Sequence, residues 1–449
     1  MLDKFFSLSE KGTNVRTELM AGVTTFMTMA YIIFVQPSVL SGKMFGMETG
    51  MDFGAVMAAT CVAAALATLI MGIYANYPIA QAPGMGENFF FVFSVLGAAA
   101  ALPAVVAGRT TAWQVALGVV FVAGVLFLIL SLLRVRQVII DAISPSLKNG
   151  IASGIGLFIA FIGLQGAKVI TANPGTLVTL TGNFLNRDVA TFVIVLCLTA
   201  VLYARKVKGS ILIGILAGLI LSLAMGWVKF EGIVGRPPSM GPTLFKMDVL
   251  HALAWKMWPY IIVFLYMDMF DTIGTLIGVA QQAGLLVDNK LPRAGRALVS
   301  DAVGTVAGAA MGTSTVTSFV ESATGVEYGG RTGLTSVATG LLFIAALLFS
   351  PLVRMVAEHP AITAPALVLV GSMMMRNVVN IDWKDYTEAV PAFLILIGIP
   401  FSYSIADGLA WGFISYPFIK FFSGRGREAS WLTYLLAVLF IARYIFIQL

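Results

Sequence analysis

The stretch YIIVFLYMDMFDTIGTLIGVAQQA, residues 260–283, decides how the rest of the chain reads. It is apolar, and longer than the roughly 20 residues a helix needs to cross a bilayer, yet Asp268 and Asp271 stand near its middle. A carboxylate at that depth costs roughly 2.5–3.5 kcal/mol on insertion scales. It is tolerated where it faces a polar cavity or a partner, which makes it a functional candidate. The plainer reading, a polar residue gluing helices together, is hard to extend to two acids in one span. Spaced i, i+3, they share one helix face. Gly274 and Gly278 would let another backbone approach closely.

Composition agrees with a membrane protein. The chain has 449 residues, 59% hydrophobic and only 11% charged, with mean hydropathy +0.92; soluble domains carry about 25% charged residues. The net charge of +6 follows from basic loops and implies no nucleic acid. Cys61 and Cys197 both fall in apolar spans, and His251 and His359 fall in expected loops. Neither a disulfide framework nor a metal site is expected. The first apolar run, from about Leu19, is too long for a cleavable signal peptide.

In chain order, the polar residues 1–18 are expected in the cytoplasm. Spans follow near 19–40, 54–74, 112–132, 147–166, 189–204, 209–228, 259–283, 295–311, 332–350, 363–377, 388–402 and 404–421. The run 431–447 either crosses or lies along the surface. Basic residues gather in alternate loops: Arg134, Arg136 and Lys148; Arg205, Lys206 and Lys208; Lys290, Arg293 and Arg296; Arg425 and Arg427. The positive-inside bias puts those loops, and the N-terminus, in the cytoplasm. The long loop 229–258 departs from it, as long loops do.

Two stretches break the pattern. Residues 77–97 open with Pro78, Pro83, Gly84 and Gly86 and then turn aromatic, which predicts an extended piece followed by a half-helix. Residues 312–330, GTSTVTSFVESATGVEYGG, are rich in Ser, Thr and Gly with Glu321 among them. Counted as spans, these two complete fourteen segments and are each the third of seven. Broken hydrophobic segments in corresponding positions of two halves point to an inverted-repeat transporter. Because seven is odd, the second half starts on the opposite side of the membrane. The half-helix N-termini would face each other near the midplane with free N–H groups and positive dipole ends. The site is expected between 83–91 and 314–322, with the Asp271 helix alongside.

The strings GTNVRTELMAGVTTFMTMAYIIF, APGMGENFFF, FDTIGTLIGVAQQAGL, NKLPRAGRAL and GTSTVTSFVESATGVEYGGRTGLT closely resemble the AzgA-like purine permeases, within the nucleobase/ascorbate transporter group. The resemblance runs nearly end to end. It implies proton-coupled uptake of hypoxanthine, guanine or adenine across the inner membrane, and a uracil-permease-like all-α fold of seven plus seven inverted segments. It divides the chain into a core (19–132 and 259–350) and a gate (147–228 and 363–421), with residues 422–449 unassigned. By motif, Asn88, Asp271 and Glu321 match the polar positions of the substrate site. Glu87 stands where some relatives read Leu, adding a charge beside the site. A homodimer is what relatives of this fold suggest; no cofactor is implied.

The residue chemistry suits that class. A purine needs an acceptor for N1–H, an amide for O6/N7, and apolar ring faces. Glu321 can accept parallel N–H bonds and Asn88 can both donate and accept; as an alternative, Asn88 is a helix cap. Phe89, Phe90, Phe270 and Phe319 are candidates for the ring faces or for plain packing. Thr315, Thr317 and Ser318 are expected to satisfy local backbone, with Thr317 and Ser318 close enough to reach the base. Asp301, in LVSDAVGT, is either a partner of the site or a structural anchor. Hypoxanthine and guanine offer N1–H to a carboxylate directly; adenine, the runner-up, offers a bare acceptor there.

Rival readings fit less well. A prenyltransferase would need a second acidic cluster for magnesium diphosphate, and an aspartyl protease finds only Asp271 with Asp301. An anion carrier or channel of the same fold would not set Glu87 and Glu321 at its half-helices. Asp268, Asp271, Asp301 and Glu321 crowd acids together with no Lys or Arg at matching depth, so the expected coupling ion is a proton, with Asp271 as its carrier. Sodium remains the alternative, through the hydroxyls at 313–318.

Overall fold

The structure, a computed structural model, describes residues 2–133, 143–285 and 291–446. Arg134, Arg136 and Lys290 of the charge argument lie outside the described residues, and so does the side chain of Phe270. Among the described residues, eight helices are long and apolar enough to cross a membrane, accompanied by shorter apolar helices such as Ser210–Ala224 and Tyr386–Ser402.

The longer helices and the two at the chain breaks are α1 (Val15–Met29), α2 (Ile32–Leu40), α3 (Phe53–Ile70), α4 (Met85–Phe90), α5 (Ala112–Leu133), α6 (Pro145–Gly166), α7 (Arg187–Ala204) and α8 (Ser210–Ala224). They continue with α9 (Trp258–Gln282), α10 (Ala294–Met311), α11 (Ser322–Tyr328), α12 (Gly333–Ala346), α13 (Ala364–Met374), α14 (Tyr386–Ser402), α15 (Ile405–Phe422) and α16 (Trp431–Phe446). One group packs α3 and α1 on α12, α10 on α3 and α5, α9 on α5 and α11 on α1. A second packs α6 on α13 and α14, α14 on α15, α15 on α16 and α7 on α8.

Both breaks form a short strand followed by a short helix: β1 (Gln81–Pro83) leads into α4, and β4 (Val316–Ser318) into α11. The strands pair antiparallel, Gln81 opposite Ser318 and Pro83 opposite Val316. The ladder extends at both ends, with Gly84 N–H donating to Thr315 O (3.0 Å) and Phe319 N–H to Ala80 O (2.9 Å). Proline at the end of β1 has no N–H to give. Gly84 leaves room for the Glu87 carboxylate, with which a Cβ there would collide, and for the crossing strand, whose Thr317 Cγ2 would stand 3.1 Å away. Gly312, at φ +108°, ends α10 in a conformation that L side chains rarely adopt and frees the chain to run into β4.

Three findings depart from the sequence reading. Glu18 belongs to no solvated tail: it is fully buried and accepts N–H groups from Arg331 (2.8 Å), Thr332 (3.3 Å) and Thr335 (3.2 Å). A carboxylate satisfies the orphan donors at the start of α12 and complements its dipole. The loop 168–187 holds a hairpin, β2 (Ile170–Asn173) with β3 (Leu177–Leu180), turned by Asn173 Oδ1 accepting from Gly175 N–H at 2.8 Å. The long loop 229–258 is sewn to span ends through Gly235 N–H to Leu348 O (2.8 Å), Phe245 N–H to Ala310 O (2.7 Å) and Asp248 N–H to Gln114 O (2.8 Å).

Candidate functional site

The strand pair brings the chemistry of both breaks to one place. Glu321 directly precedes α11, half-buried, and its side chain caps none of that helix's N–H groups. It is held instead by Tyr31, whose hydroxyl donates to Glu321 Oε1 at 2.7 Å. Tyr31 lies in the joint between α1 and α2, where Phe34 N–H returns to Tyr31 O at 3.0 Å. Sequence reasoning missed Tyr31: a tyrosine in an apolar run carries no signal of a partner 290 residues away.

Asp271, on α9, is exposed, and Val320 beside Glu321 is 54% exposed. Gly274 and Gly278 continue the Asp271 stripe at helical spacing; they approach no backbone, contrary to expectation, for a Cβ at either would meet nothing within 4 Å. Asp271, Gly274 and Gly278 therefore form an open, exposed lane on the surface of α9. Glu87, on α4, is buried with Asp271 and Asp268 as charged neighbours.

Behind this opening lies a closed polar layer. Asp268, 1% exposed, accepts from Thr305 Oγ1 at 3.0 Å. Asp301, fully buried, accepts from Gln81 Nε2 (2.8 Å) and Thr272 Oγ1 (2.7 Å). The two acids are electrostatic neighbours, and Asp268 Oδ1 and Asp301 Oδ2 have no hydrogen-bond partner. Asp301 thus anchors the strand pair through Gln81. Thr272 Oγ1 also accepts from Ser318 N–H at 3.2 Å, tying α9 to β4.

The hydroxyls of β4 divide by strand alternation. Ser318 Oγ accepts from Gln81 Nε2 at 3.2 Å, inside the closed layer. Thr315 and Thr317 bond no local backbone, contrary to the expectation that they would: Thr315 Oγ1 is buried without a partner, and the buried Thr317 hydroxyl interacts with Asp271. Asn88, fully buried, accepts from Ser314 Oγ, and its Nδ2 donors are unused. Ser314 in turn accepts from Gln36 Nε2 at 3.0 Å. Phe89 and Phe90 are fully buried, the first stacked with Phe93 at 6.3 Å and the second edge-on to Phe264 at 4.8 Å. Phe319 is 5% exposed, between the strand and Glu321. Two surface hollows lie elsewhere, over Leu102 and His251 and between Leu394 and Trp411; neither is lined by an acid.

The sequence profile of the family described as "Permease family" (Xan_ur_permease) matches residues 16–410. The chain belongs to that family. This permease is 44% identical over 451 residues to the guanine/hypoxanthine permease PbuG of Bacillus subtilis (strain 168), covering 99% of both chains. It is 42% identical over 449 residues to the adenine permease AdeP of Escherichia coli (strain K12), covering 100% of this chain and 97% of that one. Among solved structures it is similar to the transmembrane domain of the cyanobacterial bicarbonate transporter BicA, with TM-score 0.63 and 15% identity over 89% of this permease and 97% of that domain. That likeness is one of helical fold. Its family and these relatives are transporters, not enzymes.

Proposed function

We propose that this permease carries purine nucleobases across the cytoplasmic membrane by alternating access, with hypoxanthine and guanine preferred. The observation that carries the reading is Glu321, held by Tyr31 at the start of a half-helix beside the open Asp271 lane. There it accepts the purine N1–H, while the unused Asn88 Nδ2 and the Thr317 hydroxyl beside Asp271 supply donors to the base's oxygen and nitrogen. Phe319, Phe89 and Phe90 supply the apolar surround. Adenine is the second reading, favoured by the 42% identity to AdeP.

The architecture we infer is fourteen segments in two inverted halves, with the strand-bearing helix group as core and α6–α8 with α13–α15 as gate. The N-terminus and the lane at the end of α9 face the cytoplasm, and the functional unit is a homodimer in the bilayer. A proton is the coupling ion. Asp268 and Asp301, neighbouring buried acids that each keep one oxygen without a hydrogen-bond partner, hold a proton between them. Asp271, at the open surface, exchanges the transported proton, and its change of charge alters how Glu321 and Glu87 hold the base.

Binding of labelled hypoxanthine to purified protein, competed by guanine, adenine, xanthine and uracil, tests the substrate. Glu321→Gln should weaken hypoxanthine by roughly tenfold or more, the worth of a hydrogen bond to a charged group. Undiminished binding in that variant, or competition by uracil alone, would overturn the reading.

A further inference from the structure

The acid on which the purine reading rests is fixed from outside its own helix. Tyr31 is 1% exposed and its hydroxyl spends its one hydrogen on Glu321 Oε1. Three residues earlier, Thr28 Oγ1 stands 3.0 Å from Thr324 Oγ1 and 3.4 Å from Glu321 O. Two ties therefore join the end of α1 to the start of α11, one to its backbone region and one to its carboxylate. Holding the helices together needs only the first. The second reaches past the backbone to one oxygen of the acid, Oε1, and leaves Oε2 outside the tyrosine's hold, on an acid that has the exposed Val320 as its chain neighbour and Asp271 as a charged neighbour.

We propose that Tyr31 is a positioning residue that sets how many N–H groups of a purine edge Glu321 can accept, and so biases the site toward hypoxanthine over guanine. The inference rests on the purine reading given above. A 6-oxopurine without a 2-amino group presents a single N–H on that edge and asks for one oxygen, Oε2. A 2-amino-6-oxopurine presents two parallel N–H groups and asks for both oxygens; it must then share Oε1 with the phenol. A carboxylate oxygen that already accepts one hydrogen bond is a weaker acceptor for the next. The same tie orients the acid, so hypoxanthine also gains from a preorganised Oε2.

Tyr31→Phe removes the hydroxyl and keeps the ring, and Thr28→Val removes the other tie. Dissociation constants for hypoxanthine and guanine are measured on purified wild type, Y31F, T28V, E321Q and Y31F/E321Q, with thermal midpoints alongside. Y31F should weaken hypoxanthine roughly tenfold and guanine at least about threefold less, shifting the ratio toward guanine. On the E321Q background the same substitution should change either constant by less than about twofold, because the two residues act as one unit. T28V should lower the thermal midpoint and leave the ratio alone, which separates a structural tie from a selective one. Equal losses for the two bases in Y31F, or the same loss with and without Glu321, would overturn the role of Tyr31. Wild-type binding of both bases by E321Q would bring down the purine pose itself. A loss in E321Q with no change in Y31F would bring down the Tyr31 inference alone.

Discussion

Gln81 and Ser318 face each other across the β1–β4 ladder, and the Gln81 amide carries that ladder to the buried acids. Its Nε2 donates to Asp301 Oδ1 at 2.8 Å and to Ser318 Oγ at 3.2 Å, while its Oε1 accepts from Ser300 Oγ at 2.9 Å. Both ends of a fully buried amide are thereby occupied. Gln81→Ala would leave Ser300 with Ala67 O and take from Asp301 one of its two donors, leaving it only Thr272, where water does not replace the lost partner, at a cost of about 1–3 kcal/mol. The expected result is a lower thermal midpoint in detergent; an unchanged midpoint would mean the network is relayed by water.

Asp271→Asn should separate binding from energised transport. The side chain keeps its size at an exposed position, so the fold and base binding within about tenfold are retained. Hypoxanthine accumulation in vesicles driven by an imposed pH gradient should disappear. Wild-type uptake that requires sodium and ignores that gradient would refute proton coupling.

The open lane on α9 makes Gly274→Leu informative. Nothing stands within 4 Å of a Cβ there, so the fold should accept it, and exchanging glycine for leucine adds helix propensity of up to about 1 kcal/mol. A normal or raised midpoint together with at least tenfold slower uptake is expected. Full transport by this variant would show that the lane is not the path of the base.

A brace at one end of the second helix group supplies a pH test through two acids outside the expected spans, Asp385 and Glu428. Lys420 Nζ reaches Glu428 Oε2 at 2.9 Å and Glu388 Oε1 at 3.0 Å, and Arg425 bonds Asp385 Oδ2 at 2.8 Å. Hydrogen bonds from Thr387, then from Arg425, hold Asp385 at about 2, below its ordinary 3.8. Those from Arg425 and then Lys420 hold Glu428 at about 2, below 4.5. Groups with depressed values stabilise the fold fully above their ordinary range and lose that contribution as pH falls toward the folded value. The midpoint difference between wild type and Glu428→Gln should be small and flat from pH 8 to pH 5, and shrink toward zero between about pH 4.5 and pH 2. A difference that grows on acidification would contradict the brace.

The two breaks were legible because proline and glycine cannot continue a helix and because Ser and Thr cluster where backbone must be satisfied locally. Asp268, Asp271 and Glu321 were legible because charge inside an apolar span is costly. What escaped were partnerships across the chain. Glu18 looked like a solvated acid because nothing local shows that the N–H groups of Arg331 and Thr332 await it. Tyr31 and Gln81 were hidden for the same reason. The β2–β3 hairpin did leave a signal, Asn173-Pro174-Gly175 between β-branched residues, that was read only as loop. The open face at Gly274 and Gly278 was misread because small residues look the same in sequence whether they admit a helix or empty space.

The strand pair also constrains how the chain is made. Gln81 and Ser318 are brought together late, since the ribosome completes β4 long after β1 has entered the membrane. Until then Gln81 is satisfied by Thr68, whose hydroxyl meets both its N–H and its carbonyl at 2.9 Å, but Ala80 O and Gly84 N–H lack the partners that β4 brings, and in a bilayer interior each such orphan costs several kcal/mol. The first break must therefore wait at the translocon, at the lipid headgroups or against water until the second arrives. Substitutions at Pro83, Gly84 or Val316 should then act on biosynthetic yield as well as on transport, with the immature chain exposed to quality-control proteases for as long as the ladder is half built.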